Sequence, residues 1–155
     1  MPNYLSQQQI NQIFQLSIES GELAKQFFLN KNFEIFNKND GSKVSSADIQ
    51  ISKLIQQKIS KIAPNIPIVC EEGELRDFAD EMFFLIDPID GTKNFLRGVP
   101  VWATLIALIN ESGEVVVGVV SAPALNRVWY ASKGNGSFVK FSGVTKKISV
   151  SKVNN

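Results

Sequence analysis

From residue 66 to 141 the chain is built of short runs rich in Val, Ile, Phe and Trp, most of them separated only by brief polar turns. The runs are IPIVC (66–70), MFFLI (82–86), VWATLIALI (101–109), EVVVGVVSAP (114–123), RVWYAS (127–132) and SFVKF (137–141). Their composition predicts strands. Parallel neighbours need a crossover of about a dozen residues or more, usually a helix, so this spacing argues against a Rossmann-type sheet. Glu111-Ser112-Gly113 and Gly134-Asn135-Gly136 read as the turns of an antiparallel meander. The first third has a different period. Residues 6–29 place Ile10, Ile13, Phe14, Ser17, Gly21, Ala24 and Phe28 on one helical face. The following stretch KNFEIFNKNDGSKVSS contains Asn39, Asp40, Gly41 and Ser42 and reads as a loop. A second helix is predicted to begin at Ser45 or Ser46, either of which can cap it, with Ile51, Leu54, Ile55, Ile59 and Ile62 as its apolar stripe. The fold class that results is α+β, with two N-terminal helices packed on a mostly antiparallel sheet.

Composition removes many functions. The 155 residues suit one domain with a real core, and the net charge of +1 gives no reason to expect nucleic acid or an anionic membrane as partner. No apolar run approaches the roughly 20 residues of a membrane span. The opening MPNYLSQQQINQIF is polar and helical in pattern, unlike a signal peptide. Cys70, the one cysteine, has no internal disulfide partner, so a cytoplasmic location is expected. There is no histidine at all, which removes Ser–His–Asp and Cys–His triads and His-based zinc sites. Carboxylates, hydroxyls, lysines or a metal must carry any chemistry.

The segment LIDPIDGTKNF (85–95) offers such groups. Asp87 and Asp90 close an apolar run, Pro88 stiffens the turn, and Gly91 permits close backbone approach. Residues after Gly91 can start a helix whose free N–H groups suit an anion. Two aspartates beside that turn would repel the anion unless a hard divalent cation sits between them. Mg²⁺, bound by one or two carboxylates, waters and phosphate oxygens, meets the requirement. The plain alternative is an Asp-rich turn in which Asp90 caps a helix. Glu71 and Glu72 end the IPIVC strand and would lie near Asp87 if the two strands are neighbours; one of them is a candidate third ligand. Asp48, in the first turn of the second helix and on its apolar face, points toward the sheet, although a first-turn acid can also simply favour the helix dipole. Together these parts predict phosphate monoester hydrolysis by a metal-activated water, with Thr92 placed to orient that water.

At these residues the sequence resembles the inositol monophosphatase family of Mg²⁺-dependent, lithium-sensitive phosphatases. DGSKVSSAD is similar to its D-x-S-x-V-T-x-A-D segment, with Ser45 in place of threonine. CEEGE is similar to its G-E-E segment, and LIDPIDGTKNF matches its central motif. The resemblance implies that Glu72, Asp87, Asp90 and the carbonyl of Ile89 ligate two or three Mg²⁺ ions in the complete site. It implies that Thr92, supported by Asp48, orients water together with Glu72, that Gly91 and Thr92 hold phosphate, and that Glu71 stands behind Glu72. FLRGVPVWATLIALI and SAPALNRVWYAS resemble the histidinol-phosphate phosphatase branch; nucleotides of the 3′-phosphoadenosine 5′-phosphate type are the alternative substrate class.

The family's layered αβαβα fold continues into a second domain with a W-D-x-A-A-G-like segment that supplies another metal ligand. Here no aspartate follows Asp90, and the later acids are Glu111 and Glu114. The resemblance therefore assigns residues 1–155 to the N-terminal domain, with the C-terminal domain absent. A homodimer or a separately encoded C-terminal half is the expected partner besides a small phosphomonoester. A remnant without catalysis, or an interaction module that binds metal or phosphate weakly, is the competing expectation.

Overall fold

Ser6 starts the first helix. Its hydroxyl accepts from the Gln9 N–H while the Gln9 side chain accepts from the Ser6 N–H, a reciprocal capping box. The computed structural model describes residues 4–38, 41–70 and 81–153. In it, helix α1 (Gln7–Asn30) buries Ile13, Leu16, Ser17, Ser20, Gly21 and Ala24. Helix α2 (Ser46–Ile62) buries Ala47, Asp48, Ile51, Ser52, Ile55 and Ile59. Both stripes follow the helical period predicted from sequence. Gly21 lets α1 approach the sheet closely, since a Cβ there would stand 2.5 Å from Ser121 Oγ.

The two helices lie on one face of a seven-stranded sheet whose spatial order follows chain order: β3 (Ile68–Cys70), β4 (Phe83–Asp90), β5 (Ala103–Ile109), β6 (Val115–Ala122), β7 (Arg127–Ser132), β8 (Gly136–Phe141) and β9 (Val144–Ile148). Among the described residues only β3 and β4 pair in parallel; every other neighbour is antiparallel. The α+β architecture read from the sequence is the one observed.

Three elements depart from that reading. The predicted loop after α1 contains a small hairpin, β1 (Ile35–Asn37) with β2 (Lys43–Ser45). A further strand, β9, ends the sheet, and its five residues are all exposed. β4 also runs on past the apolar run to Asp90, with a register shift between Asp87 and Asp90. β1 and β9 are exposed along their whole length, so no buried face imposes a period of two on their sequence.

The helix-facing side of the sheet is the core: Phe84 and Ile86 of β4, Ile106 and Leu108 of β5, and Val117 and Val119 of β6 are buried there. The opposite side is also apolar, and among the described residues no helix covers it. Across it run Leu105, Val120, Trp129 and Val139 in paired register, starting from Asp87. Val120 is 37% exposed, Phe141 45% and Val144 57%. A hollow on that side is lined by Arg127, Trp129, Val139, Phe141, Val144 and Lys146. No helix of the described residues is long and apolar enough to cross a membrane.

Between β4 and β5 lies the short helix α3 (Thr92–Arg97). It is pinned by Phe95, which is fully buried with ring centroids 5.6 Å from Phe28, 5.3 Å from Phe33 and 5.1 Å from Trp102. Truncating Phe95 to Ala should lower unfolding free energy by about 3–5 kcal/mol, read from the urea midpoint at constant slope. A loss below about 1 kcal/mol would show that the cluster does not hold α3.

Candidate functional site

The parallel pairing of β3 with β4 matches Cys70 to Ile86, so both strands end on the same side of the sheet. β3 and β4 are thus the neighbours that the sequence reading made its condition. Glu71 and Glu72 themselves lie outside the described residues. Asp87 is half-buried, and its Oδ1 accepts from the Ile89 N–H at 3.1 Å, an Asx turn that folds the strand end onto itself. Pro88 has no N–H to pair, and its buried carbonyl accepts from Thr104 Oγ1 at 2.8 Å. The turn is thus held from the neighbouring strand as well as from within. Ile89 is fully buried, whereas Asp90 is exposed.

Gly91 follows with φ +84°, a left-handed conformation that side chains disfavour. A Cβ here would also meet the Val101 carbonyl at 3.1 Å. The N–H groups of Asn94 and Phe95 both reach the Gly91 carbonyl, so the helical ladder of α3 begins there. Thr92, half-buried, has two acceptors within reach of its single hydroxyl proton: the Ile89 carbonyl at 2.9 Å and Asp48 Oδ1 at 3.4 Å. Asp48 is 2% exposed. Its Oδ2 accepts from Ser45 Oγ at 2.5 Å and from the Ser45 N–H at 2.8 Å. A buried carboxylate costs several kcal/mol unless such donors satisfy it.

The structure therefore brings Asp48, Ile89 and Thr92 into contact and places Asp87, Asp90 and Gly91 in the same turn. Two contributors were given no role in the site from sequence: Thr104, which holds the Pro88 carbonyl, and Ser45, named as a possible cap and as a position in the motif. The S-x-x-D spacing of Ser45 and Asp48 is the signal for the latter. Among the described residues no group of three or more His, Cys, Asp and Glu side chains is placed to hold a metal. The donors that are present, two carboxylates and the Ile89 carbonyl with its second lone pair, are hard oxygens that fit Mg²⁺.

Replacing Gly91 by Ala should cost about 1–3 kcal/mol through the disfavoured φ alone, with the crowded Val101 carbonyl adding to it. Urea unfolding would register the loss; an unchanged midpoint would mean that the turn tolerates a side chain.

Known proteins share this sequence and fold. The family profile described as "Inositol monophosphatase family" matches residues 6–155. A histidinol-phosphatase of Mycobacterium tuberculosis is 41% identical over 140 residues, covering 89% of this chain and 53% of the relative. A 3′(2′),5′-bisphosphate nucleotidase of Haemophilus influenzae is 29% identical over 97% of this chain and 56% of its own length. The solved structure of a Thermotoga maritima IMPase superposes with a TM-score of 0.74 at 34% identity, covering 89% of this chain and 52% of that one. The chain spans about half the length of the curated relatives it matches.

Proposed function

The chain belongs to the inositol monophosphatase family, and we propose that it carries one half of the site of a Mg²⁺-dependent phosphomonoesterase. The observation that carries this reading is the Thr92 hydroxyl, set between Asp48 and the Ile89 carbonyl in the same turn as Asp87 and Asp90.

In this reading Asp87, Asp90 and the Ile89 carbonyl hold the cation, joined by Glu72 with Glu71 behind it. Bound there, Mg²⁺ would supply a Lewis acid for the phosphoryl oxygens. The backbone of Gly91 and Thr92 receives the phosphate at the open start of α3. Thr92 gives its hydroxyl hydrogen bond to Asp48 and so turns its own lone pairs toward an attacking water, and Glu72 is the base assigned to that water. A bond forms from water oxygen to phosphorus, the bond to the alcohol oxygen breaks, and the alcohol leaves with a proton. The substrate is a small phosphomonoester. The relative at 41% identity is named a histidinol-phosphatase, so histidinol phosphate heads the candidates; inositol phosphates and 3′-phosphoadenosine 5′-phosphate follow from other named relatives.

The uncovered side of the sheet fits the same proposal. Its apolar row begins at Asp87, so polypeptide packed on it would reach the site. We assign that surface to the counterpart of the relatives' remaining half, within a longer chain or encoded separately. An open apolar face of this extent marks an interaction surface.

Two measurements test the proposal. Purified chain, incubated with Mg²⁺ and a panel of phosphomonoesters, should release phosphate, and Asp90→Asn or Thr92→Val should lower the rate at least about 100-fold. Folded chain that releases nothing above the Asp90→Asn background would show that these residues do not suffice. Separately, the chain should enhance anilinonaphthalene sulphonate fluorescence, and Val120→Lys with Phe141→Lys should reduce the signal at unchanged circular dichroism. Undiminished emission would locate the open apolar surface elsewhere.

A further inference from the structure

Among the described residues two capping boxes occur, and they differ in what they touch. At α1, Ser6 and Gln9 are joined in an exposed box at the helix start. At α2, Ser45 is fully buried and its partner is the Asp48 carboxylate, whose other oxygen faces Thr92. The Ser45 hydroxyl and the Ser45 N–H both donate to Oδ2, and both belong to one residue fixed by the β1–β2 hairpin, where Ser45 pairs with Ile35. A carboxylate gripped at one oxygen from two directions cannot turn about its terminal bond without losing a bond. Oδ1 is thereby aimed at Thr92.

We infer that Ser45 is a positioning residue: by clamping Oδ2 of Asp48 it presents Oδ1 as the acceptor that draws the Thr92 proton away from the Ile89 carbonyl. The inference rests on the roles proposed above for Asp48 and Thr92. Helix capping is the competing account of Ser45, and glycine separates the two. As an N-cap, glycine is nearly as good as serine, yet it has no hydroxyl with which to hold Asp48.

The test uses the Thr methyl groups. The chain has three threonines, Thr92, Thr104 and Thr145, so methyl-labelled protein gives three assignable signals. Ser45→Gly should shift the Thr92 methyl resonance and change its χ1 coupling, while Thr145, far along in β9, stays in place. Ser6→Gly, which removes the hydroxyl of the other box, should move none of them, and Ser45→Thr should restore the wild-type Thr92 coupling. Thermal unfolding of each variant confirms that the signals come from folded protein. In the phosphate-release assay, Ser45→Gly should lower kcat about 10- to 100-fold with KM little changed, the size expected of a partner that orients an active group. An unmoved Thr92 signal in folded Ser45→Gly would overturn the inference, as would a shift equal to that in Ser6→Gly. Failure of the functional reading has a different mark, wild-type chain that releases no phosphate, and the Thr92 signal decides the inference in that case too.

Discussion

The parallel pairing of β3 with β4 is the constraint on which the site depends. Among the described residues every other pair in the sheet is antiparallel, and here alone two neighbouring strands run toward the same side. Ligand crevices in open sheets form outside the carboxyl ends of parallel strands, because loops leaving there diverge and leave a cleft. Here β3 ends at Cys70, opposite Ile86, and β4 continues through Asp87 to Asp90. The start of α2 reaches the same place through Asp48, and α3 opens from it at Thr92. An antiparallel β3 would send its final residues to the opposite rim and separate them from Asp87.

Much of the strain and desolvation of the site is absorbed by neighbours that make no claim on chemistry. Gly91 takes the left-handed turn, Thr104 satisfies the carbonyl of Pro88, and Ser45 satisfies half of a buried carboxylate. The rings of Phe28, Phe33, Phe95 and Trp102 lock the short helix that six residues could not stabilise alone. Preorganisation of this kind lets polar groups face a ligand without collapsing onto one another.

The sequence made the helices legible because each has one buried stripe, and the central strands legible because Val, Ile and Phe crowd them. It concealed β1, β2 and β9 for the converse reason. The three residues of β1 and the five of β9 are exposed on both sides, so nothing in their composition alternates. The N-cap of α2 was ambiguous between two serines. The structure gives it to Ser45, while Ser46 Oγ instead accepts from the Glu34 N–H and ties the hairpin down. The site was legible through the turn LIDPIDGT, whose residues are adjacent in sequence. The approach of Asp48 to Thr92 spans 44 positions, and no local spacing encodes it; only the apolar-face location of Asp48 and the family resemblance pointed there.

Spatial order of the strands equal to chain order has a kinetic consequence. Each antiparallel pairing from β4 to β9 joins segments adjacent in sequence, so little loop entropy opposes closure of one hairpin after another. The expensive step is the return of α1, whose Lys25 reaches Asn126 across 101 positions. On a ribosome the first helix can pack on α2 early but must wait for β5 and β6 to emerge before its stripe meets the sheet. The six glutamine and asparagine side chains among its first fifteen positions keep that waiting segment polar on its other faces, and the lysines of β9 discourage premature pairing at the growing edge.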